Sequence, residues 1–329
     1  MKASCIGSSF RTIVILALVI LFPFTVTQAA EWKPSKPIQF IVPYAPGGGS
    51  DVLARSIENV IKTDKLCPQP LMVVNQPGGS GTIGLTTVAQ SPGNQHMIMT
   101  FISGQVTSPL VAGKGVATFH DLTLICNLAM DEQLIVVKTD SPFKTIEDII
   151  AAAKAKPSTL SIAGTATGQE DQMCNRLFER AAGIKLRYVP FNSGGECLTA
   201  VMGGHVDMIW ANPSEFVPQW EAKMVRPVVV AKETRMPLLP DVPTFKEKGF
   251  NVTFKFFRGI AAPPNIPPET VAFYENMMKK MSDSKGWKEG YLKKYMLSAG
   301  WMGSKEFSQM VNQSETLFKE ILKDLGLLK

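Results

Sequence analysis

The sequence predicts an α/β protein folded as two lobes, and three observations predict it. Apolar runs of strand length lead repeatedly through Gly, Pro, Ser or Thr into a helical pattern; these strand–loop–helix units occur four times; and they fall into two separated pairs. The first pair lies before about residue 100 and the second after about residue 160. Two sheets of one plan imply two lobes.

The first unit runs Ile38 to Val42, then a loop from Pro43 to Ser50, then a helix from Asp51 to Ile61. The second runs Leu71 to Val74, Asn75 to Gly81, then Thr82 to Ala89, and a further strand follows from Met97 to Ser103. Leu134 to Val137 opens the second half. The third unit is Leu160 to Ala163, Gly164 to Gly168, then Glu170 to Ala182; the fourth is Leu186 to Val189, Pro190 to Gly195, then Glu196 to Met202. Strand-like runs at Pro227 to Ala231 and Val252 to Ile260 precede a helical tail that begins after Pro263, Pro264, Pro267 and Pro268. A tail that returns to the first lobe makes the chain cross between lobes twice, which is a hinge. The expected division is 1–30 as a leader, 31–128 plus 252–329 as the first lobe and 129–251 as the second.

The leader rests on order rather than composition. Lys2 and Arg11 precede the apolar run Thr12 to Phe24, and Thr25, Thr27, Ala29 and Ala30 follow, the arrangement of a secretory signal cleaved after Ala29 or Ala30. The apolar core is about a dozen residues where a spanning helix needs about 20, which disfavours an uncleaved anchor. Cys5 precedes that core, whereas a lipoprotein cysteine follows it. Removing 30 of 329 residues leaves 299, and the net charge falls from +6 to +4 with Lys2 and Arg11 gone. A hydrophobic fraction of 45% with 19% charged residues is globular composition and excludes a disordered, collagen-like or polytopic membrane chain. A folded chain of this size needs no disulfide framework or structural metal.

Export leaves Cys67, Cys126, Cys174 and Cys197 in a compartment that permits pairing. Four cysteines allow three complete pairings, and buried free thiols are the competing reading. Cys174 with Cys197 is the pair expected if any forms. With no CxxC spacing, metal chelation and thiol exchange are disfavoured.

Both early loops contain Pro-Gly-Gly, at Pro46–Gly48 and Pro77–Gly79. Consecutive glycines let backbone approach a ligand, and the helix beside each loop offers unsatisfied N–H groups and the positive end of its dipole. One helix end contributes about 0.3 to 1 kcal/mol when exposed, so one alone cannot hold a ligand. Several ends converging with the hydroxyls of Ser50, Ser80, Thr82, Thr165, Thr167 and Ser193 approach the roughly 8 kcal/mol of a micromolar complex. The expected ligand is a small anion. Glycines at strand-to-helix turns also serve topology alone, but four such loops at the carboxyl ends of strands favour a site. Asp51 either charges the first turn of its helix or reaches the cleft to bind an ammonium group.

Catalytic motifs mostly fail. Gly79–Gly84 matches GxGxxG after a strand, but no Asp or Glu occurs from Thr82 through His120, where a ribose-binding acid belongs. No P-loop ending or GxSxG elbow is present, and His96, His120 and His205 lack metal-ligand spacing. The reading is therefore no enzyme, no cofactor and no metal. Lys279, Lys280, Lys293 and Lys294 are interleaved with Glu275, Asp283 and Glu289, as on a solvated helix face, so the basic balance makes no case for nucleic acid.

Trp32–Ile38 followed by Ile41-Val42-Pro43-Tyr44-Ala45-Pro46-Gly47-Gly48-Gly49-Ser50-Asp51, with Ala54-Arg55, resembles the opening of the Bug-type (TctC-like) extracytoplasmic solute receptors of tripartite tricarboxylate transporters. Val73–Gly84 resembles that family's second glycine loop. Val189-Pro190-Phe191, Gly203–Asp207, Leu239–Thr244 and Gly259–Pro263 follow in the family's order, so the resemblance covers essentially the whole mature chain. It implies a type II-like periplasmic binding protein fold, each lobe a mixed, largely parallel sheet flanked by helices. The lobes would close on a carboxylate-containing metabolite handed to membrane permease subunits.

By position, the resemblance places Tyr44, Ala45, Gly47, Gly48, Gly49, Ser50 and Asp51, with Gly79, Ser80, Gly81 and Thr82, on the first-lobe side of the cleft. Thr165, Ala166, Thr167, Asn192 and Ser193 supply the second-lobe side, with Asn212 near its rim. Where the family has Asp-Gly-Tyr-Thr, this chain reads Gly93-Asn94-Gln95-His96, which loosens the register of Ser103 and Gln105 beyond it. Arg258 is either a solvent-facing strand residue or a guanidinium fork for a second carboxylate. The expectation is a monomeric periplasmic receptor for a small mono- or dicarboxylate. A sensor feeding a signalling partner such as a sensor kinase, and a secreted enzyme with an unrecognised site, are the alternatives.

Overall fold

The computed structural model describes Met1 and residues 32–191, 193–254 and 256–328. Residues 2–30 of the expected leader and the candidate ligand Asn192 lie outside the described residues. The chain begins with β1 (Ile38–Val42), α1 (Gly49–Thr63), β2 (Leu71–Asn75), α2 (Thr82–Ala89), β3 (Met97–Ile102), α3 (Gly104–Ala112) and β4 (Thr123–Asp131). It continues with β5 (Leu134–Lys138), α4 (Ile146–Ala155), β6 (Ser161–Thr165), α5 (Glu170–Ala182), β7 (Arg187–Phe191), α6 (Gly194–Met202), β8 (Met208–Ala211), α7 (Pro213–Glu221) and β9 (Val225–Val230). Last come β10 (Phe256–Ala262), α8 (Pro268–Asp283), the short α9 (Lys285–Trp287), β11 (Ser298–Gly303) and α10 (Ser304–Asp324).

Two sheets result, ordered β11-β4-β10-β3-β1-β2 and β7-β6-β8-β5-β9. In the first, β1 pairs in parallel with β2 and β3, β10 reverses, and β4 reverses again, so four of six strands share a direction. In the second, β6, β7 and β8 are parallel, β5 reverses and β9 returns, giving four of five. Both sheets are mixed and helix-flanked, as expected.

Topology brings the loops together. Asp131 ends β4 and pairs with Phe256 at the start of β10, while Leu134 starts β5 and pairs with Val230 at the end of β9. The chain thus leaves the first sheet and re-enters it at the edge holding the carboxyl ends of β1, β2 and β3. It enters and leaves the second at the edge holding the carboxyl ends of β6, β7 and β8. Every glycine-rich βα loop therefore opens toward the seam between the sheets.

Alternation along β1 sends Ile38, Phe40 and Val42 to one face, where they pack with α1, α8 and Trp287, and Ile41 to the other. That second face is continuous with the core of the second sheet: one cluster runs from Phe101, Phe257 and Phe307 to Phe178, Trp210 and Phe245. Phe254 of the second crossing stacks on Phe318 of α10, with ring centroids 5.4 Å apart. Buried side chains of this size each contribute on the order of 1.5–3 kcal/mol. One side of the seam is consequently held by shared core and not by the two crossings alone.

The four cysteines of this region are free. The pairing of Cys174 with Cys197 is corrected: the two thiols belong to separate core clusters, Cys174 on α5 and Cys197 on α6. Burial raises both thiols above the ordinary value, as for inert core cysteines.

Candidate functional site

The loop after β1 is built by Asp51. Its Oδ2 accepts the Gly47 N–H at 2.9 Å and the Arg55 Nε–H at 2.9 Å, and its Oδ1 accepts from Asn75 Nδ2, which also bonds the Tyr44 carbonyl. Burial opposes its charge, but the bonds from Arg55, Gly47 and Asn75 outweigh that and hold it below the ordinary carboxylate value. Both oxygens are thus engaged within the loop. Ala45, Gly47, Gly48 and Gly49 are exposed and Ser50 is buried.

The second glycine loop is left-handed at Gly79, Ser80 and Gly81, conformations that glycine adopts without strain. Thr82 Oγ1 donates to the Gly79 carbonyl, and Ser108 Oγ of α3 donates to the Ser80 carbonyl at 2.8 Å. Gly81 is needed for a second reason. A Cβ there would stand 3.1 Å from both the Tyr44 hydroxyl and Gln105 Nε2.

Tyr44 and Gln105 therefore meet over Gly81. Gln105 is 1% exposed; its Oε1 accepts the Ile102 N–H at 2.7 Å, while its Nε2, the Tyr44 hydroxyl and Ser103 Oγ are buried without hydrogen-bond partners. Burial and the nearby Glu170 push the Tyr44 hydroxyl upward, with the Gln105 amide working the other way, so the phenol stays protonated and able to donate.

Across the seam lies the start of α5. A Cβ on Gly104 would stand 2.4 Å from the Tyr44 hydroxyl, 2.8 Å from Gln169 Oε1 and 3.6 Å from Glu170 Oε1. Gln169 Nε2 donates to Ser108 Oγ at 2.6 Å, so a hydrogen-bonded line runs from the second lobe through α3 to Ser80. Gly104, Ser108, Gln169 and Glu170 were not among the expected ligands. No local motif marks them, since their relation arises only when α3 and α5 face each other.

Other expected residues serve the frame. Thr165 donates through its N–H and Oγ1 to Asp171 Oδ2, Ser193 Oγ caps α6 by accepting the Glu196 N–H, and Ala166 is left-handed. Thr167 and Ser193 are exposed. Asn212 joins the second lobe to the crossing, donating through Nδ2 to the Glu132 carbonyl and through its N–H to Glu215 Oε2. Arg258 is 4% exposed rather than solvent-facing, and its Nε and Nη2 donate to Asp131 Oδ2. A Cβ on Gly49 would lie 3.0 Å from both terminal guanidinium nitrogens, so Arg258 also underlies the first loop.

The electrostatics are lopsided. Burial, reinforced by Asp171 and Asp131 and opposed by Arg258, pushes Glu170 up to about 8. Glu215 is likewise pushed up to about 8 by burial and Asp171, and Asp171 to about 6 by burial. Arg258 is the cation among them, and Asp131 outweighs its burial to keep it charged. Arg258 and Asp131 belong to the first sheet, where Tyr44, Ser103 and Gln105 add neutral donors. A hydrogen bond to a charged group contributes roughly 1.5–3 kcal/mol, so three such donors could offer an anion about 5–9 kcal/mol before the cost of association.

Two open surface hollows, of about 450 and 520 Å³, lie elsewhere, the first against Glu275 and Gly303, the second against Phe191 and His205. Neither contains the buried orphan donors. Among the described residues no group of three or more metal-ligating side chains converges, and no helix is long and apolar enough to cross a membrane.

The architecture is shared with solved receptors. A TctC solute-binding protein from Polaromonas superposes with a TM-score of 0.72 at 26% identity, covering 88% of this chain and 99% of that one. A protein from R. palustris, solved with adipate, gives 0.81 at 24% identity over 89% and 98%, and MatC from Rhodopseudomonas palustris, with bound malate, gives 0.77 at 23% over 88% and 99%. In sequence, BugT of Bordetella pertussis is 25% identical over 289 residues, 84% of this chain and 87% of its own. The sequence pattern of the tripartite tricarboxylate transporter family receptor matches residues 53–327. The chain belongs to that family of solute-binding receptors.

Proposed function

We propose that the protein is an extracytoplasmic receptor that binds a small carboxylate in the seam between its two lobes and delivers it to the permease subunits of a tripartite tricarboxylate transporter. The observation that carries this reading is the set of buried donors without partners, Tyr44 Oη, Ser103 Oγ and Gln105 Nε2, of which Tyr44 and Gln105 meet at Gly81 of the second glycine loop. Buried polar groups are seldom left unsatisfied, and those that are call for a partner. Three neutral donors are suited to a carboxylate, which accepts several bonds and brings its own charge. The malate and adipate held by the two structural neighbours are of that chemistry. The apolar run Thr12 to Phe24 supports export.

A thermal-shift screen across mono-, di- and tricarboxylates and amino acids tests the proposal. A ligand at about 100 times its dissociation constant adds roughly 2.7 kcal/mol to stability. Folded protein freed of copurified ligand that shifts with none of them is not a carboxylate receptor. Tyr44→Phe and Gln105→Leu are expected to lose most of the shift while remaining folded.

A further inference from the structure

The second-lobe wall bears the opposite chemistry from the first. Two buried acids, Glu170 and Asp171, and the half-buried Glu215 stand there, facing the Asp131–Arg258 pair of the first sheet, and of these four acids three are engaged. Asp131 accepts from Arg258 and from the Glu132 N–H; Asp171 accepts from Gln133, the Thr165 N–H and Thr165 Oγ1; Glu215 accepts the Asn212 N–H. Glu170 differs. It is 4% exposed, and its Oε1 has no hydrogen-bond partner.

That oxygen lies near one of the orphan donors, the Tyr44 hydroxyl. The Tyr44 hydroxyl and Glu170 Oε1 stand 2.4 Å and 3.6 Å from one point, the position of a Cβ on Gly104, and so are at most 6.0 Å apart. Donors await an acceptor on one wall, and an acceptor awaits a donor on the other. A dicarboxylate satisfies the first wall but meets Glu170 only in its protonated form, which burial, Asp171 and Asp131 favour up to about pH 8, and it loses that contact as the proton leaves. A ligand with a cationic far pole satisfies both, because an opposite charge within a few ångströms favours the ionised carboxylate.

We propose that Glu170 selects a small amino-carboxylate, the ligand's carboxylate being held by Tyr44, Ser103 and Gln105 and its ammonium by Glu170. This rests on the carboxylate-receptor reading and narrows it. It also moves the ammonium contact from Asp51, whose oxygens serve the first loop, to the facing lobe. Selectivity is a difference of affinities: an ammonium gains an ion pair from Glu170, whereas a second carboxylate gains only a hydrogen bond from the neutral acid.

Calorimetric titration with length-matched pairs tests it: 3-aminopropanoate against malonate, 4-aminobutanoate against succinate, 5-aminopentanoate against glutarate, together with L-alanine and L-serine. The expected result is at least about tenfold tighter binding of an amino-carboxylate than of its matched or similarly sized dicarboxylate, roughly 1.4 kcal/mol. Glu170→Gln abolishes that preference and Glu170→Asp keeps its direction, with circular dichroism reporting that both variants are folded. Preference for a dicarboxylate by the unmodified protein overturns the inference and leaves the carboxylate receptor standing. An amino-carboxylate preference that survives Glu170→Gln overturns the assignment to Glu170. Binding of neither series overturns the receptor reading and this inference with it.

Discussion

Arg258 of the returning strand donates through Nε and Nη2 to one oxygen of Asp131, the last residue of the strand by which the chain leaves the first sheet. The pair is buried, with side-chain exposures of 4% and 0%. It ties the two crossings together beneath the first glycine loop, where a Cβ on Gly49 would lie 3.0 Å from the guanidinium nitrogens, a tight contact. Arg258 is thereby a strut of the seam, its guanidinium already engaged by a carboxylate of the chain.

Breaking this pair is expected to cost far more than replacing it. Removing one partner of a buried ion pair destabilises by about 3–5 kcal/mol, whereas exchanging both for apolar residues of similar volume is often close to neutral. Arg258→Met and Asp131→Leu are each expected to lower the urea midpoint substantially, and the double variant to recover most of the loss. A double variant as unstable as the sum of the singles shows that the partners act independently.

Asp51 gives a prediction with a pH signature. Asp51→Ala removes the acceptor of Gly47, Arg55 and Asn75 and is expected to cost about 1–3 kcal/mol, while Arg55→Ala, at the 55%-exposed end of the pair, costs less than about 1 kcal/mol. The Asp51 carboxylate is held below its ordinary value of 3.8, so its stabilising contribution is complete above that value and is lost as pH falls through the folded-state value. The stability difference between Asp51→Ala and the unmodified protein is expected to be constant from pH 6 to 5 and to close below about pH 3.8. A difference that persists unchanged in strong acid assigns the role of Asp51 to packing rather than to its charge.

The parts of the fold legible in the sequence are those with local causes. Helices Thr82–Ala89 and Glu170–Ala182 follow from glycine or polar loops giving way to a helical period, and their bounds are those expected. Strand β4 has no such punctuation: Thr123–Asp131 runs almost directly into Leu134–Lys138, with Asn127 and Asp131 buried inside it, and reads as no separate element. The candidate site divides the same way. Tyr44 and Gly81 sit in loops that announce themselves, whereas Gly104 and Glu170 acquire meaning from facing each other across 66 positions of sequence. Arg258 shows the limit plainly, because its partner Asp131 is 127 residues away.

Gly104 is expected to be a glycine whose side-chain space matters to binding. A methyl group there meets the Tyr44 hydroxyl at 2.4 Å and Gln169 Oε1 at 2.8 Å, whereas at Gly48 the nearest atom is the Ala45 carbonyl at 3.6 Å, an ordinary contact. Gly104 has no left-handed backbone, so the substitution is a test of space alone. Overpacking costs about 1–3 kcal/mol, borne here by the state in which α3 and α5 meet. Gly104→Ala should weaken ligand binding at least about fivefold by calorimetry, with Gly48→Ala within about twofold of the unmodified protein. Equal effects of the two substitutions place the ligand at the first loop instead.

The buried acids predict that ligand-free protein loses stability as pH rises through neutrality. Glu170 and Glu215 are pushed from 4.5 to about 8 in the folded chain, so between those values the folded state holds more protons than the unfolded state and stability falls with pH. The groups that set this balance are Asp131, Asp171 and Arg258, together with the Asn212 N–H on Glu215. Glu215 faces the Gly194 backbone, where a Cβ would collide with its carboxylate, so it has no room to turn away when it ionises. The melting temperature is expected to decline from pH 5.5 to 8.5, and Glu215→Gln or Glu170→Gln each to flatten that decline, by roughly 2–4 °C for every kcal/mol of charge burial removed. A melting temperature that rises over this interval, or a decline unchanged in both variants, shows that these carboxyls are ionised at little cost and that solvent reaches them in the ligand-free state.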